Sequence, residues 1–155
     1  MDDDFMMLLS DRNQMNLIRK TNEYATQYGL CLSDYDIREL LIKRRECLSE
    51  QQRVEFGTGI LEKLIFAFCD SGFIYQENYA ETIARLQSIF YSYKNESLDE
   101  LTDDELISIM RDAFDGECQG SLDYLEETFL EQFARTIRAD TRKFMGRYAR
   151  NDREL

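Results

Sequence analysis

Not one proline interrupts the 155 residues of this chain, and only seven are glycine. Tight turns and hairpins consume both residues, so a chain this poor in them is built for long helices. The apolar residues agree: they recur at spacings of three and four, not in alternation. The expected fold class is all-α, a bundle of five or six helices around a central apolar helix at about residues 60–69. The length suits a single helical domain over 1–155. With 43% hydrophobic and 32% charged residues, it can bury a core without a metal or disulfide staple.

The first helix is expected from about Asp11 to Tyr28, on the repeat Leu17, Ile18, Thr21, Tyr24, Ala25, Tyr28, with Gly29 ending it in a left-handed conformation. Ser33 reads as an N-cap, followed by Asp34 and Asp36 at the positive end of the dipole. Ile37, Leu40 and Leu41 are the apolar face of the second helix. After a break at Phe56-Gly57-Thr58-Gly59, the run Ile60 to Cys69 is apolar almost all round, which predicts a helix in the middle of the bundle. A buried strand over Leu64 to Phe68 is the alternative, without an evident partner strand. The next helix, about Gln76 to Tyr93, places Tyr79, Ile83, Leu86 and Phe90 on one face. Thr102-Asp103-Asp104-Glu105 is a capping box. A last helix from near Ser121 shows Leu122, Leu125, Phe129, Phe133 and Ile137, and can continue through Phe144 and Tyr148. Unbroken, it outruns the body, so 138–155 is expected as a projecting basic C-terminal helix suited to self-association.

Histidine is absent, which removes Ser-His-Asp and Cys-His catalysis and the Glu-x-x-His iron sites of helical bundles. Cys31, Cys47, Cys69 and Cys118 form no Cys-x-x-Cys pair, so buried free thiols in a reducing compartment are expected. Cys47, with Lys43 and Arg44 one turn before it, is the thiol to test as reactive. The start, Met1-Asp2-Asp3-Asp4 before a short apolar run, is not a secretory signal, and no segment approaches the ~20 apolar residues of a membrane span. The expected location is cytoplasmic.

One loop carries a recognisable ligand pattern. Asp115-Gly116-Glu117-Cys118-Gln119-Gly120-Ser121-Leu122-Asp123-Tyr124-Leu125-Glu126 reads as a degenerate EF-hand calcium loop between two helices. Asp115, Glu117, Gln119, Ser121, Asp123 and Glu126 take the six ligand positions, and Gly120 takes the glycine position. Glu117 and Gln119 stand where Asp or Asn is usual and reach one carbon too far. The competing reading is a plain interhelical turn. Gly57-Thr58-Gly59 with Lys63 resembles a phosphate cradle, but the full motif is missing and a tight turn explains it.

Charge is uneven. The net charge is −12. Yet from Arg135 to Leu155 seven basic residues (Arg135, Arg138, Arg142, Lys143, Arg147, Arg150, Arg153) face three acids. The acidic body argues against nucleic acid as a partner. Phe90, Tyr91 and Tyr93 are expected in the core and at its edge, with the phenol groups reaching water.

Several strings together carry a family likeness: Val54-Glu55-Phe56-Gly57, Leu64 to Ser71, Tyr79-Ala80-Glu81-Thr82, Lys94-Asn95-Glu96-Ser97 and Phe114-Asp115-Gly116. The chain resembles a family of small uncharacterised proteins from clostridial-type bacteria, catalogued as a domain of unknown function. The resemblance implies a bacterial cytosolic setting and transfers no site residue. The functional expectation is a protein-interaction or adaptor module without catalytic activity, its partner another protein or a second copy. An ion-binding domain using the 115–126 loop comes second. A carboxylate- or thiol-dependent enzyme comes third.

Overall fold

The computed structural model describes residues 2–55, 59–96, 100–137 and 139. Among these the chain is all-α. The helices are α1 (Asp2–Ala25), α2 (Asp34–Glu50), α3 (Ile60–Phe68), α4 (Tyr79–Glu96), α5 (Asp103–Asp115) and α6 (Leu122–Tyr124). The path of α6 runs on through a π-turn, Leu125–Phe129, into helical residues 130–137. Phe56 to Thr58 and the expected extension through Phe144 and Tyr148 lie outside the described residues. No described helix is long and apolar enough to cross a membrane.

Local chemistry sets the helix ends. Ser33 accepts the Asp36 amide at 3.1 Å while Asp36 accepts the Ser33 amide at 3.1 Å. Thr102 and Glu105 repeat the reciprocal box at the start of α5. Each box satisfies two amides that the first turn leaves without a helical partner. α1 starts at Asp2, nine residues earlier than expected: an Asp-rich start suits the positive end of a helix dipole. It leaves through the turn Thr26–Tyr28, capped by Gly29 at φ +76°. The connector to α2 is held by two side-chain amides. Asn22 bonds both backbone groups of Leu32, and Gln76 bonds both of Cys31. Main-chain groups between helices are thus paired without a sheet.

The ambiguous run Leu64 to Phe68 is helical. α3 packs against α1, α4 and α5, burying Ile60, Leu61, Leu64, Ile65 and Phe68. Phe68 meets Phe114 edge-to-face at 5.5 Å, with the Arg111 guanidinium over its ring. One side of α3 is nevertheless open: Phe66 is 47% exposed and Lys63 reaches Asp104 at 3.0 Å. α2 lies against α1 and α4.

Two expectations require correction. The tyrosines of α4 are buried. Tyr91 donates to Glu55 at 2.6 Å, and Tyr93 donates to the Glu126 carbonyl. The phenol groups of Tyr91 and Tyr93 are thus satisfied inside the protein, by acceptors far away in sequence, whereas the buried Tyr79 hydroxyl has no hydrogen-bond partner among the described residues. The buried face of the last helix also differs. It reads Leu125, Leu130 and Ala134, while Phe129, Phe133 and Ile137 are half-buried. The π-turn inserts one extra residue per turn and rotates everything after it, so Leu130 takes the place that regular geometry reserves for Phe129.

Candidate functional site

Between α1 and α2 runs a groove with a cavity volume of about 640 Å³. On α1 it is lined by Arg12, Met15, Asn16 and Arg19, and on α2 by Arg38, Leu41, Ile42 and Arg45. Both sets have the same spacing, i, i+3, i+4, i+7, which is one continuous stripe along a helix. The stripes lie beside the core faces, since Ile18, Thr21 and Ala25 on α1 and Ile37, Leu40 and Arg44 on α2 point inward. Each wall therefore carries an arginine at either end, about 10 Å apart along the axis. Between them is a floor of Met15, Leu41 and Ile42.

The four arginines are exposed, and none of the described residues that line the groove is acidic. At one end Asp34, the first residue of α2, receives Arg19 Nε at 3.1 Å. Arg19 also donates to Asn16 at 2.9 Å, which points its guanidinium along the wall. The hydrogen bond and charge of Arg19, with Arg38 nearby, hold the Asp34 carboxyl below the usual carboxylate range. In a chain of net charge −12 this is a localised positive surface. Guanidinium groups do not give up protons near neutral pH, so the arginines of the lining are no proton acceptors for general-base work. It has planar forks that hold carboxylates or phosphates, and an apolar strip. Sequence reading passed over these positions. The available signal was the recurrence of Arg-x-x-apolar-x-x-x-Arg in two consecutive helices.

The six expected calcium ligands are spread over separate partnerships. Asp115 accepts from Ser71 at 2.6 Å and from Arg111 at 2.7 Å. Glu117 accepts from the Tyr124 phenol at 2.8 Å. Gln119 is exposed, with φ +48°. Ser121 caps α6 by accepting the Tyr124 amide. Asp123 and Glu126 face Arg85 at 2.9 and 3.9 Å. Leu122 lies in the first helical turn, not in the short extended segment that an EF-hand loop uses. The geometry departs from the expectation because Ser121 starts a helix three residues after Cys118 closes the α5 turn. Among the described residues no group of three or more His, Cys, Asp or Glu side chains is placed to hold a metal ion.

The remaining candidates have structural partners. Cys47 is buried against Ser88, which counts against its reading as the reactive thiol; Cys69 and Cys118 are buried too, whereas Cys31 is exposed, contrary to the expectation of burial. Burial, helped by Asp70 and Glu117 respectively, pushes the Cys69 and Cys118 thiols up. Gly59 precedes α3 and Lys63 is held by Asp104. A second depression, beside Phe66, Asp112 and Gly116, has Arg111 held between Asp70 and Asp115. Of the C-terminal cations, Arg135 pairs with Glu131 at 3.3 Å, and Arg138, Arg142 and those beyond lie outside the described side chains.

No curated protein and no solved structure matches the chain. A family model described as a family of unknown function matches residues 17–143, which takes in the last nine residues of α1, all of α2 to α6 and the helix after the π-turn. The chain belongs to that family, DUF6323.

Proposed function

We propose that this protein is a cytoplasmic protein-interaction module and that the α1–α2 groove is its docking surface. The observation that carries the reading is the pairing of exposed arginines with a partly open apolar floor. Ile42, at the centre of that floor, is 36% exposed. Leaving a large aliphatic side chain in water forgoes part of the roughly 1.5–3 kcal/mol that burying it is worth. The arginines gather positive charge on one surface of a chain of net charge −12, an arrangement suited to receiving anionic groups from outside. The described lining of the groove offers hydrogen-bond donors and contact area, which supports a binding role.

A photo-cross-linking residue at Ile42, with a second at exposed Tyr75 as control, tests this in living cells. The expected result is a discrete protein adduct at position 42 that is absent at 75. Once purified, that protein should bind the wild-type chain, and R12E/R45E should abolish the binding. An adduct with a small molecule alone, or identical adducts from both positions, would overturn the reading.

A further inference from the structure

We propose that the start of α3 is a binding site for a phosphate group, closed in the free protein by the carboxylate of Glu55 and opened by exchange of the two anions. The site is separate from the α1–α2 groove and stands or falls independently of it. Its basis is a buried guanidinium that its internal partner only half satisfies. Arg44 reaches from α2 into the core and is 2% exposed, yet its Nε has no hydrogen-bond partner among the described residues. Nε and Nη2 share one edge of the planar guanidinium, a fork that grips an oxyanion through two parallel bonds. Nη2 would lie 3.4 Å from a Cβ built on Gly59, the N-cap residue of α3, so this edge faces the helix start. The first-turn amides of a helix have no acceptor within it, and the dipole there is positive. An oxyanion is the ligand that such a place receives.

Glu55 fills the place poorly. Its Oε1 alone serves two donors, the Tyr91 phenol at 2.6 Å and Arg44 Nη2 at 3.4 Å. The second distance is long beside the roughly 2.7–2.9 Å of a charge-assisted bond, and Nε is left over. The same oxygen would lie 2.6 Å from a Cβ on Gly59, an approach that only glycine permits. A phosphate group carries enough acceptor oxygens to meet both nitrogens of the Arg44 fork and the Tyr91 phenol at once. Burial favours the exchange. The Glu55 side chain is 20% exposed against 2% for Arg44, so the carboxylate has the readier way into water. Glu55 also lies in the non-helical connector after α2, and its withdrawal unwinds no helix.

The test uses the full chain in chloride buffer, with inorganic phosphate exchanged for chloride at constant ionic strength. Isotope-labelled arginine makes the Arg44 Nε–H resonance, identified by its loss in R44M/E55A, a reporter on the site itself. Phosphate should move that resonance saturably and raise the Tm of the wild type. E55A lacks the internal competitor. It should bind phosphate at least about tenfold more tightly and recover in phosphate the Tm that it loses in chloride. E55Q serves if E55A does not fold. R44M/E55A replaces the ion pair with apolar groups, a change that buried pairs tolerate, and its Tm should ignore phosphate.

R44M/E55A keeps the groove arginines, so a Tm rise in it equal to that of the wild type would put the ion elsewhere and overturn the proposal. A wild-type Arg44 resonance untouched by phosphate would overturn it too, whether or not E55A binds, because Glu55 would then be a permanent occupant. So would an equal response to acetate, which would make the site indifferent to phosphate. Tighter binding of glycerol 3-phosphate than of inorganic phosphate would support the proposal with the phosphate end of a larger molecule as ligand; the reverse order would support it with the free ion.

Discussion

Three glycine-to-alanine changes separate two reasons a chain keeps glycine. Gly29 and Gly120 both have left-handed backbones, at φ +76° and +80°. A Cβ on Gly29 would meet nothing within 4 Å, whereas one on Gly120 would lie 2.7 Å from Phe73 Cβ and 2.8 Å from two of its ring carbons. Gly72 has neither feature and is the control. For Gly29→Ala the left-handed conformation costs about 1–2 kcal/mol, partly offset by the ~0.4–1 kcal/mol that alanine gains by stiffening the unfolded chain. The expected net loss is about 1 kcal/mol. Gly120→Ala adds an overpacking cost of about 1–3 kcal/mol, held to the lower half because Phe73 is 36% exposed and can yield. Its total is about 2–3 kcal/mol. Gly72→Ala should be neutral or stabilising by up to ~1 kcal/mol. Urea unfolding with a shared m-value measures all three. Equal losses at Gly29 and Gly120 would refute the claim that Phe73 enforces glycine at 120. The result bears on function because Gly120 is also the glycine of the calcium-loop pattern. A large cost in calcium-free buffer would give it a packing role that owes nothing to an ion.

Millimolar calcium should leave the Tm unchanged, since Asp115, Asp123 and Glu126 are committed to arginines; a rise lost in Asp115→Ala and Glu126→Ala would restore the ion site. Glu55→Gln should cost about 3 kcal/mol in urea unfolding, because Arg44, 2% exposed, loses its counter-charge, while Tyr91→Phe should cost only about 1 kcal/mol. In the native state one thiol, Cys31, should react rapidly with an alkylating reagent, and Cys31→Ser should leave only slow, unfolding-limited labelling. At alkaline pH, burial raises the phenols of Tyr79, Tyr91 and Tyr93, the last to about 12. A raised folded value favours the neutral form, so their contribution is intact below about pH 10, the unfolded value, and is lost as pH climbs through the folded values. Phenolate absorbance should therefore rise in two phases, the second coinciding with loss of helix by circular dichroism. A single phase with the helix intact would contradict their burial.

What could be read from the sequence was what is local. The boxes at Ser33 and Thr102, the glycine end of α1 and the helical run at Ile60 depend on neighbours within four residues, and the backbone follows them. What could not be read depends on partners far along the chain. Tyr91 finds Glu55 thirty-six positions away, and Tyr93 finds Glu126. Neither acceptor leaves a mark near the tyrosine. Phe66 looks like core by composition, yet its exposed ring meets Tyr24. The groove falls between these cases. Each arginine stripe is visible within its own helix, but only the packing of α1 on α2 turns two stripes into one surface.

The π-turn at Leu125–Phe129 bears on how members of the family are lined up with one another. A relative with ordinary α geometry at this point would keep the same contacts with one residue fewer. Its apolar positions would match Leu130 and Ala134 only across a one-place gap. An ungapped comparison would instead set its buried residues against Phe129 and Phe133, and would make a shared interior look like divergence.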